Sequence, residues 1–497
     1  NTPAVRQSRK TTLELILSTH KKKWLSCVRS MNCELQKLAL EYNAEEDMFG
    51  TDHDLKPIDD LSASVVRDNS KCVMCTRCVA ACGQQTISAI GPNNRGYAKA
   101  IGSPYDVSLA FTPCVNCGQC VVACPVGALY EKSSVADVWG AIVDPDKQVV
   151  FFTAPSVRAT LGEAFGLPVG TNVEGKMISA IKQLGDVKCF NMDITADLTI
   201  MEEADELLSR LQGGGALPMF TSCCPGWVKF AEHYYPELLP NISTCKSPQE
   251  MFSALLKTYY CQKNGIKPEN LYVVSVIPCT AKKFEISREE LGNYTDAAIT
   301  TRELAKMIKE AGIDFANIAD GKFDTPFEEA SGAGAIFGAT GGVMEAALRT
   351  AAYKLGGSGA PLEFKEVRGT QGVKEAEYTV GGTTVKVAVA SGLGNARKVI
   401  EAVKSGEKDY TFIEVMACPG GCINGGGQPY VHDEIRNTID LKAVRAQALY
   451  DYDGESRLRC SHDNPAVEVI YKEFLGKPNG HKSHELLHTT YHEREKY

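Results

Sequence analysis

The chain of 497 residues is 44% apolar and 23% charged, with a formal net charge of −8. That length can bury more than one core, and the composition is that of an ordinary soluble protein. The negative balance excludes a global basic field for nucleic acid. No apolar run is long enough to span a bilayer, and Lys21, Lys22 and Lys23 read as a local solvated patch. The chain begins at Asn1 rather than Met, which leaves an upstream or targeting segment open.

Cysteine is the informative residue, with 19 copies, most of them at short fixed spacings. Disulfide frameworks suit small secreted chains with thin cores. A chain this large with repeated C-x-x-C runs points instead to metal ligation in a reducing compartment, and so to a cytoplasmic location.

In chain order, residues 1–62 are expected to be a mostly helical segment (TTLELILSTH, CELQKLALEY), and residues 63–140 carry the densest cysteines. Residues 141–497 alternate short apolar strands with helices. QVVFFTAP comes first, GALPMFTSCC precedes WVKFAEHYY, and LYVVSVIPC follows. KVAVASG then precedes NARKVIEAVK, before DYTFIEVMAC. This βαβ rhythm predicts mostly parallel sheets covered by helices. Three of the strands run straight into cysteines. Ligands of open α/β sheets gather beyond the strand carboxyl ends, so these thiols are expected to converge there.

Residues 72–82 read CVMCTRCVAAC and residues 114–125 read CVNCGQCVVACP. Each is C-x2-C-x2-C-x3-C, the pattern of a two-cluster bacterial ferredoxin, in which the fourth Cys of each run ligates the other cluster. One 4Fe-4S cluster is therefore expected on Cys72, Cys75, Cys78 and Cys124, the other on Cys114, Cys117, Cys120 and Cys82. A zinc ribbon explains doubled runs of four poorly. Such clusters carry single electrons, so another part of the chain must use them.

The N-terminal HKKKWLSCVRSMNC offers His20, Cys27 and Cys33. It resembles the H-x3-C-x2-C-x5-C set of a His-ligated 4Fe-4S cluster, with Trp24 where the first Cys belongs. An indole nitrogen is only a donor. Either this cluster is lost or another group fills the gap; loss is the preferred reading, leaving a degenerate site.

Three further motifs hold cysteines: TSCCPGW (Cys223, Cys224), IPCTAKKFE (Cys279) and EVMACPGGCINGGGQP (Cys418, Cys422). Taken singly, CPGGC is a turn with structural thiols. Taken together, the three resemble the FeFe-hydrogenases from about residue 10 to the C-terminus. The resemblance implies a multidomain α/β and α+β chain, with a helical segment over 1–62 and a two-4Fe-4S ferredoxin-like domain over 63–140. A two-lobed catalytic domain with mostly parallel sheets follows over 141–497, its active centre between the lobes. It implies reversible conversion of protons and electrons to H2 at an H-cluster, a 4Fe-4S cubane linked to a di-iron unit carrying CO, cyanide and a bridging dithiolate.

By the same resemblance, Cys224, Cys279, Cys418 and Cys422 hold the cubane, and Cys422 bridges to the di-iron unit. Cys223 passes the proton, with Glu203, Ser243 and Glu206 as the relay to the surface. Lys282 donates to one cyanide, Pro155 and Ser156 contact the other, and Met416 and Gln249 pack nearby. Gly425, Gly426 and Gly427 are read as leaving space for the cofactor against bare backbone. Ile277 departs from the family, which usually has Met there, and that affects tuning of the site. The implied partners are a ferredoxin or other redox partner, subunits of a larger electron-transfer complex, and maturation proteins.

Three features are set aside. HELLH (His484, Glu485, His488) fits a zinc-protease pattern but lies near the chain end. Cys189, Cys245, Cys261 and Cys460 are isolated and read as buried small hydrophobes. SGLGNARK is a weak nucleotide signal. Among rivals, the non-hydrogenase relative that assists cytosolic iron–sulfur assembly lacks the di-iron unit; the TSCC pair, Lys282 and the full third motif count against it. A hydrogen sensor lacks a visible signalling domain, and a plain electron carrier leaves residues 141–497 unexplained.

Overall fold

The structure is a computed structural model, and it describes residues 1–50, 58–356, 362–380 and 382–496. Two four-stranded sheets form the lobes of the large domain. In the first, Ala297–Thr300, Leu271–Ile277, Gln148–Thr153 and Val187–Asn191 lie side by side, all parallel. These strands are buried on both faces, which is why they read as continuous apolar runs rather than alternating ones. In the second, Val373–Val380, Thr383–Ser391, Phe412–Met416 and Met219–Phe220 are neighbours, parallel except for the first pair. That antiparallel edge hairpin was not visible in the βαβ rhythm, because EAEYTV alternates polar and apolar residues as an edge strand does.

Helices cover both sheets. Asp193–Ser209 follows the strand Val187–Asn191 and is buried along most of its length, Glu202 and Glu203 included. Pro225–Tyr234 starts with Pro at its first position and has Cys224 as its N-cap residue. Proline at N1 sacrifices no hydrogen bond, since that N–H has no helical partner anyway.

The cysteine-dense segment is built on a three-stranded antiparallel sheet of Ile58–Asp59, Val65–Asp68 and Leu129–Glu131, with short helices Arg77–Gln84 and Gln119–Ala123. The two cysteine runs fold alike. Met74 and Thr76 in the first, Asn116 and Gly118 in the second, all take left-handed backbone, with φ of 53°, 61°, 60° and 69°. These alternations curl each C-x-x-C-x-x-C loop so that its thiols face inward.

This segment is sewn to the large domain. Thr280 Oγ1 donates to Asn116 O at 2.7 Å, and Gln119 Nε2 donates to Asn424 O at 3.0 Å. Arg302 pairs with Glu131 at 2.7 Å and also donates to Gly426 O. A Cβ on Gly118 would lie 2.3 Å from Thr280 Oγ1 and 2.9 Å from the Gly426 Cα, at a φ that L side chains rarely adopt. Gly118→Ala is therefore expected to cost about 1–3 kcal/mol of stability through overpacking and strain. Chemical denaturation would show this as a lowered midpoint.

The N-terminal helices Pro3–Ser18 and Glu34–Glu41 dock on the cysteine-dense segment through Leu13, Leu17 and Leu35. Among the described residues no helix is long and apolar enough to cross a membrane.

Candidate active site

Four strands deliver the residues of the central cavity, each from its carboxyl end. Gln148–Thr153 leads into Pro155 and Ser156, Met219–Phe220 into Cys223 and Cys224, Leu271–Ile277 into Cys279, and Phe412–Met416 into Cys418. The cavity has a volume of about 80 Å³. Its lining includes Cys223, Cys224, Cys279, Cys418, Cys422 and Lys282. Pro155, Ser156, Gln249, Ile277 and Met416 line it too, so every cofactor contact expected from the motifs is brought to one place.

Four thiols on an apolar wall, Cys418 buried and Cys224, Cys279 and Cys422 partly so, are costly to ionise unless a cation meets them. Burial, with Cys224 adding, pushes Cys279 up to about 11. Cys422 and Cys418 are pushed up by burial and by the other cavity thiols. A soft cationic iron–sulfur core removes that penalty by binding the thiolates, so this donor set fits the cubane of the H-cluster. Backbone helps: Ala417 N donates to Cys224 Sγ at 3.3 Å.

Lys282 donates to Glu285 at 2.8 Å and to Cys223 O at 3.3 Å. Burial works against its charge, but Glu285 outweighs this and raises its pKa above the ordinary 10.5. An ammonium has three protons, so one remains for an anionic group in the cavity. Gln249 is held by Glu250, Glu285 and Ser275. Gln428 accepts from Thr160 Oγ1 at 2.7 Å and donates to Cys422 O at 3.0 Å, fixing the backbone of the last cysteine.

Glu285 and Gln428 were not singled out from sequence, although both stand inside the quoted motifs. Phe337, Gly338 and Met192 also line the cavity, from segments that carry no motif.

The glycine run acts differently from the expectation. Gly425 borders the cavity, but a Cβ there would strike Pro278 O at 2.3 Å. A Cβ on Gly426 would meet Cys117 O at 2.5 Å, and one on Gly427 would meet Thr300 at 2.8 Å. These glycines let other protein atoms come close, and at Gly426 those atoms belong to the ferredoxin-like segment.

Glu203 and Glu206 lie on one helix, Glu203 buried and Glu206 partly so. Burial and then the Glu206 charge push Glu203 from the ordinary 4.5 up to about 8. Its Oε2 is buried and has no hydrogen-bond partner. Cys223 is pushed well above 9.0 by burial and by Glu203. Ser243 Oγ donates to Glu206 Oε2 at 2.9 Å, and Arg210 holds Glu206 Oε1 at 2.6 Å. The burial of Glu203 rules out a merely solvated helix face at that position.

In the ferredoxin-like segment, Cys72, Cys75, Cys78 and Cys124 line one cavity with Ile90, Ile101 and Leu129. Burial pushes Cys78 to about 12, with Cys124, Cys72 and Cys75 adding. Cys120 is driven up by burial and then by Cys117, Cys114 and Cys82. Each quartet thus combines three thiols of one run with the fourth of the other. Cys117 lies just behind the central cavity: its carbonyl is 4.0 Å from Cys418 Sγ, and Cys279 acts on its thiol.

At the N-terminal site, His20 is buried with Nδ1 2.8 Å from Lys71 O. Trp24 Nε1 donates to the Glu46 carboxylate. Cys27 and Cys33 are close enough that Cys27 raises the Cys33 pKa, after burial. In HELLH, His484 and Glu485 are exposed while His488 is buried against Glu202, so the protease constellation does not assemble. Cys189, Cys245, Cys261 and Cys460 are buried, and no cysteine among the described residues is in a disulfide.

The geometry is that of a thiol-walled cavity with two cysteine quartets beside it, and known proteins share its parts. The family model for the iron-only hydrogenase large subunit, C-terminal domain, matches residues 147–426, and that for the iron hydrogenase small subunit matches 439–494. A 4Fe-4S dicluster domain matches 65–130, and the iron–sulfur binding region of NADH-ubiquinone oxidoreductase-G matches 9–47.

The NADP-reducing hydrogenase subunit HndD of Solidesulfovibrio fructosivorans is 48% identical, covering 100% of this chain and 86% of its own. Iron hydrogenase 1 of Clostridium pasteurianum is 46% identical over 99% of this chain and 87% of its own. The structure of an apo FeFe-hydrogenase from Chlamydomonas reinhardtii matches with a TM-score of 0.65 and 40% identity, covering 73% of this chain and 100% of that one. The chain belongs to the FeFe-hydrogenase family. It is a hydrogenase whose cofactors are iron–sulfur clusters and an H-cluster.

Proposed function

We propose that this chain interconverts protons and electrons with H2 at the central cavity, with electrons relayed through the two ferredoxin-type quartets. One observation carries the reading. Five cysteines from three distant motifs meet Lys282 on a single apolar cavity, and the second quartet abuts it through Cys117.

Cys224, Cys279, Cys418 and Cys422 would hold the cubane, with Cys422 shared with the di-iron unit. The bound cofactor supplies the redox chemistry that joins or splits H2. Lys282, Pro155, Ser156, Gln249 and Met416 would orient the di-iron unit, whose one protein bond is insufficient to fix it. The dry cavity magnifies the Lys282 charge relative to water. Cys223 holds and passes the proton at Sγ, and Glu203, Ser243 and Glu206 carry it between Cys223 and the surface. Electrons enter at the quartet containing the exposed Cys75 and leave toward the cavity past Cys117. The donor is a ferredoxin or a partner subunit, in line with the NADP-reducing assembly named for the HndD relative. His20, Cys27 and Cys33 are proposed as a degenerate cluster site, since the Trp24 indole is engaged with Glu46.

Infrared spectroscopy on anaerobically matured protein is expected to show CO and cyanide bands, together with H2 exchange. Cubane iron alone, without such bands, would refute the reading.

Glu203 gives a pH prediction. The folded protein binds this proton more tightly than the unfolded chain, since burial raises the pKa from 4.5 to about 8. Its contribution to stability is complete below about 4.5 and is lost as pH rises through about 8. At neutral pH the carboxyl is protonated and can donate. Turnover toward H2 should fall as pH rises through about 8, and Glu203→Gln should flatten that limb. The pH profile of both proteins measures this.

A further inference from the structure

Cys245 and His488 belong to features the sequence analysis set aside. The structure places both against Glu206. A ligand atom of each of the three lies within 4.8 Å of the others. Cys245 Sγ is 3.8 Å from Glu206 Oε2. His488 Nδ1 is 2.8 Å from Thr244 Oγ1, which in turn reaches Glu206 Oε2 at 3.3 Å.

The other ring nitrogen is held as it is in metal sites. His488 Nε2 lies 3.1 Å from Glu202 Oε2. Glu202 is buried and accepts from Tyr471, Ser483 and the Asn479 N–H. A carboxylate so arranged can only accept. It therefore fixes the proton on Nε2 and leaves the Nδ1 lone pair directed at Thr244, Glu206 and Cys245. This is the carboxylate–histidine pairing that orients imidazole toward a metal. On the other side, Arg210 holds Glu206 Oε1, which leaves Oε2 facing the cysteine and the histidine.

We propose that Glu206, Cys245 and His488 form a site for a divalent borderline transition metal, zinc above all, whose occupancy blocks the outer end of the proton relay. The blocking half rests on the relay reading given above. One nitrogen, one sulfur and one oxygen donor suit zinc, with water as the fourth ligand. Binding replaces the Thr244 hydroxyl between the three groups and releases the Cys245 thiol proton to solvent. Glu206 Oε2, once bound to metal, can no longer exchange protons with Ser243. The site also accounts for His488: within the protease motif His484 only stacks on it, whereas here Thr244 and Glu202 hold its two ring nitrogens.

The test uses the matured holoenzyme, with zinc chloride as the probe. Zinc retained per chain is measured by metal analysis after equilibrium dialysis, its ligands by zinc-edge X-ray absorption, and H2 evolution in parallel. We expect one zinc with a single sulfur neighbour at about 2.3 Å. We also expect inhibition that a chelator reverses. Cys245→Ser and His488→Asn, neither in the catalytic machinery, should keep turnover without zinc and need at least tenfold more zinc for half-inhibition. Cys245→Ser should also remove the sulfur neighbour. Zinc that fails to bind, or that binds and inhibits both variants at the wild-type concentration, overturns the site. Zinc bound at the sulfur site with turnover unchanged overturns the blocking and removes Glu206 from the relay, while the hydrogenase reading stands.

Discussion

Cys223→Ser is expected to lower turnover at least a hundredfold while leaving the cofactor in place. The thiol is not needed as a ligand, because Cys224, Cys279, Cys418 and Cys422 already supply four on the same cavity. Positioned acid–base groups contribute roughly a hundredfold to ten-thousandfold. A serine hydroxyl at this buried position is far harder to deprotonate than a thiol, so it holds the geometry without relaying the proton. Infrared bands and iron content should match the wild type. Turnover within a factor of a few of wild type would remove Cys223 from the path.

Cys422→Ala is expected to abolish H2 exchange altogether, with the CO and cyanide bands lost. Here the chemistry is ligation rather than proton transfer. Cys422 sits on a short turn, Cys422–Asn424, whose backbone Gln428 and Arg445 hold from two sides. Removing its sulfur leaves that scaffold in place with nothing to tether the di-iron unit. Iron in the two ferredoxin-type quartets should survive, because their eight cysteines lie outside the cavity. Metal analysis beside infrared spectroscopy separates this from unfolding: loss of all iron would mean that the chain no longer folds.

The ferredoxin-type quartets were legible because ligand identity there is set by spacing along a few residues, and each loop curls by the same local backbone rule. The cavity cysteines were legible because each follows a strand, and strand ends converge in α/β sheets. What failed to show was what depends on distant partners. Glu285 and Gln428 stood within the motifs, yet their roles depend on Gln249 and Thr160, which only the fold brings near. Gly426 was misread because the atoms that exclude its Cβ belong to Cys117 and Gly118, some three hundred residues earlier. The strand Ala297–Thr300 was missed because four residues give no periodicity to read.

The seam between Gly118 and Gly426 means that part of the reactor's wall is made by the wiring. Deleting residues 1–130 would take away Asn116, Cys117 and Gly118 and bare the Thr280 hydroxyl and the peptide groups around Gly425 to solvent. A chain trimmed to its catalytic domain would thus lose more than its conductor. It would open a side entrance through which dissolved oxygen could reach the sulfurs, and faster inactivation in air would reveal it.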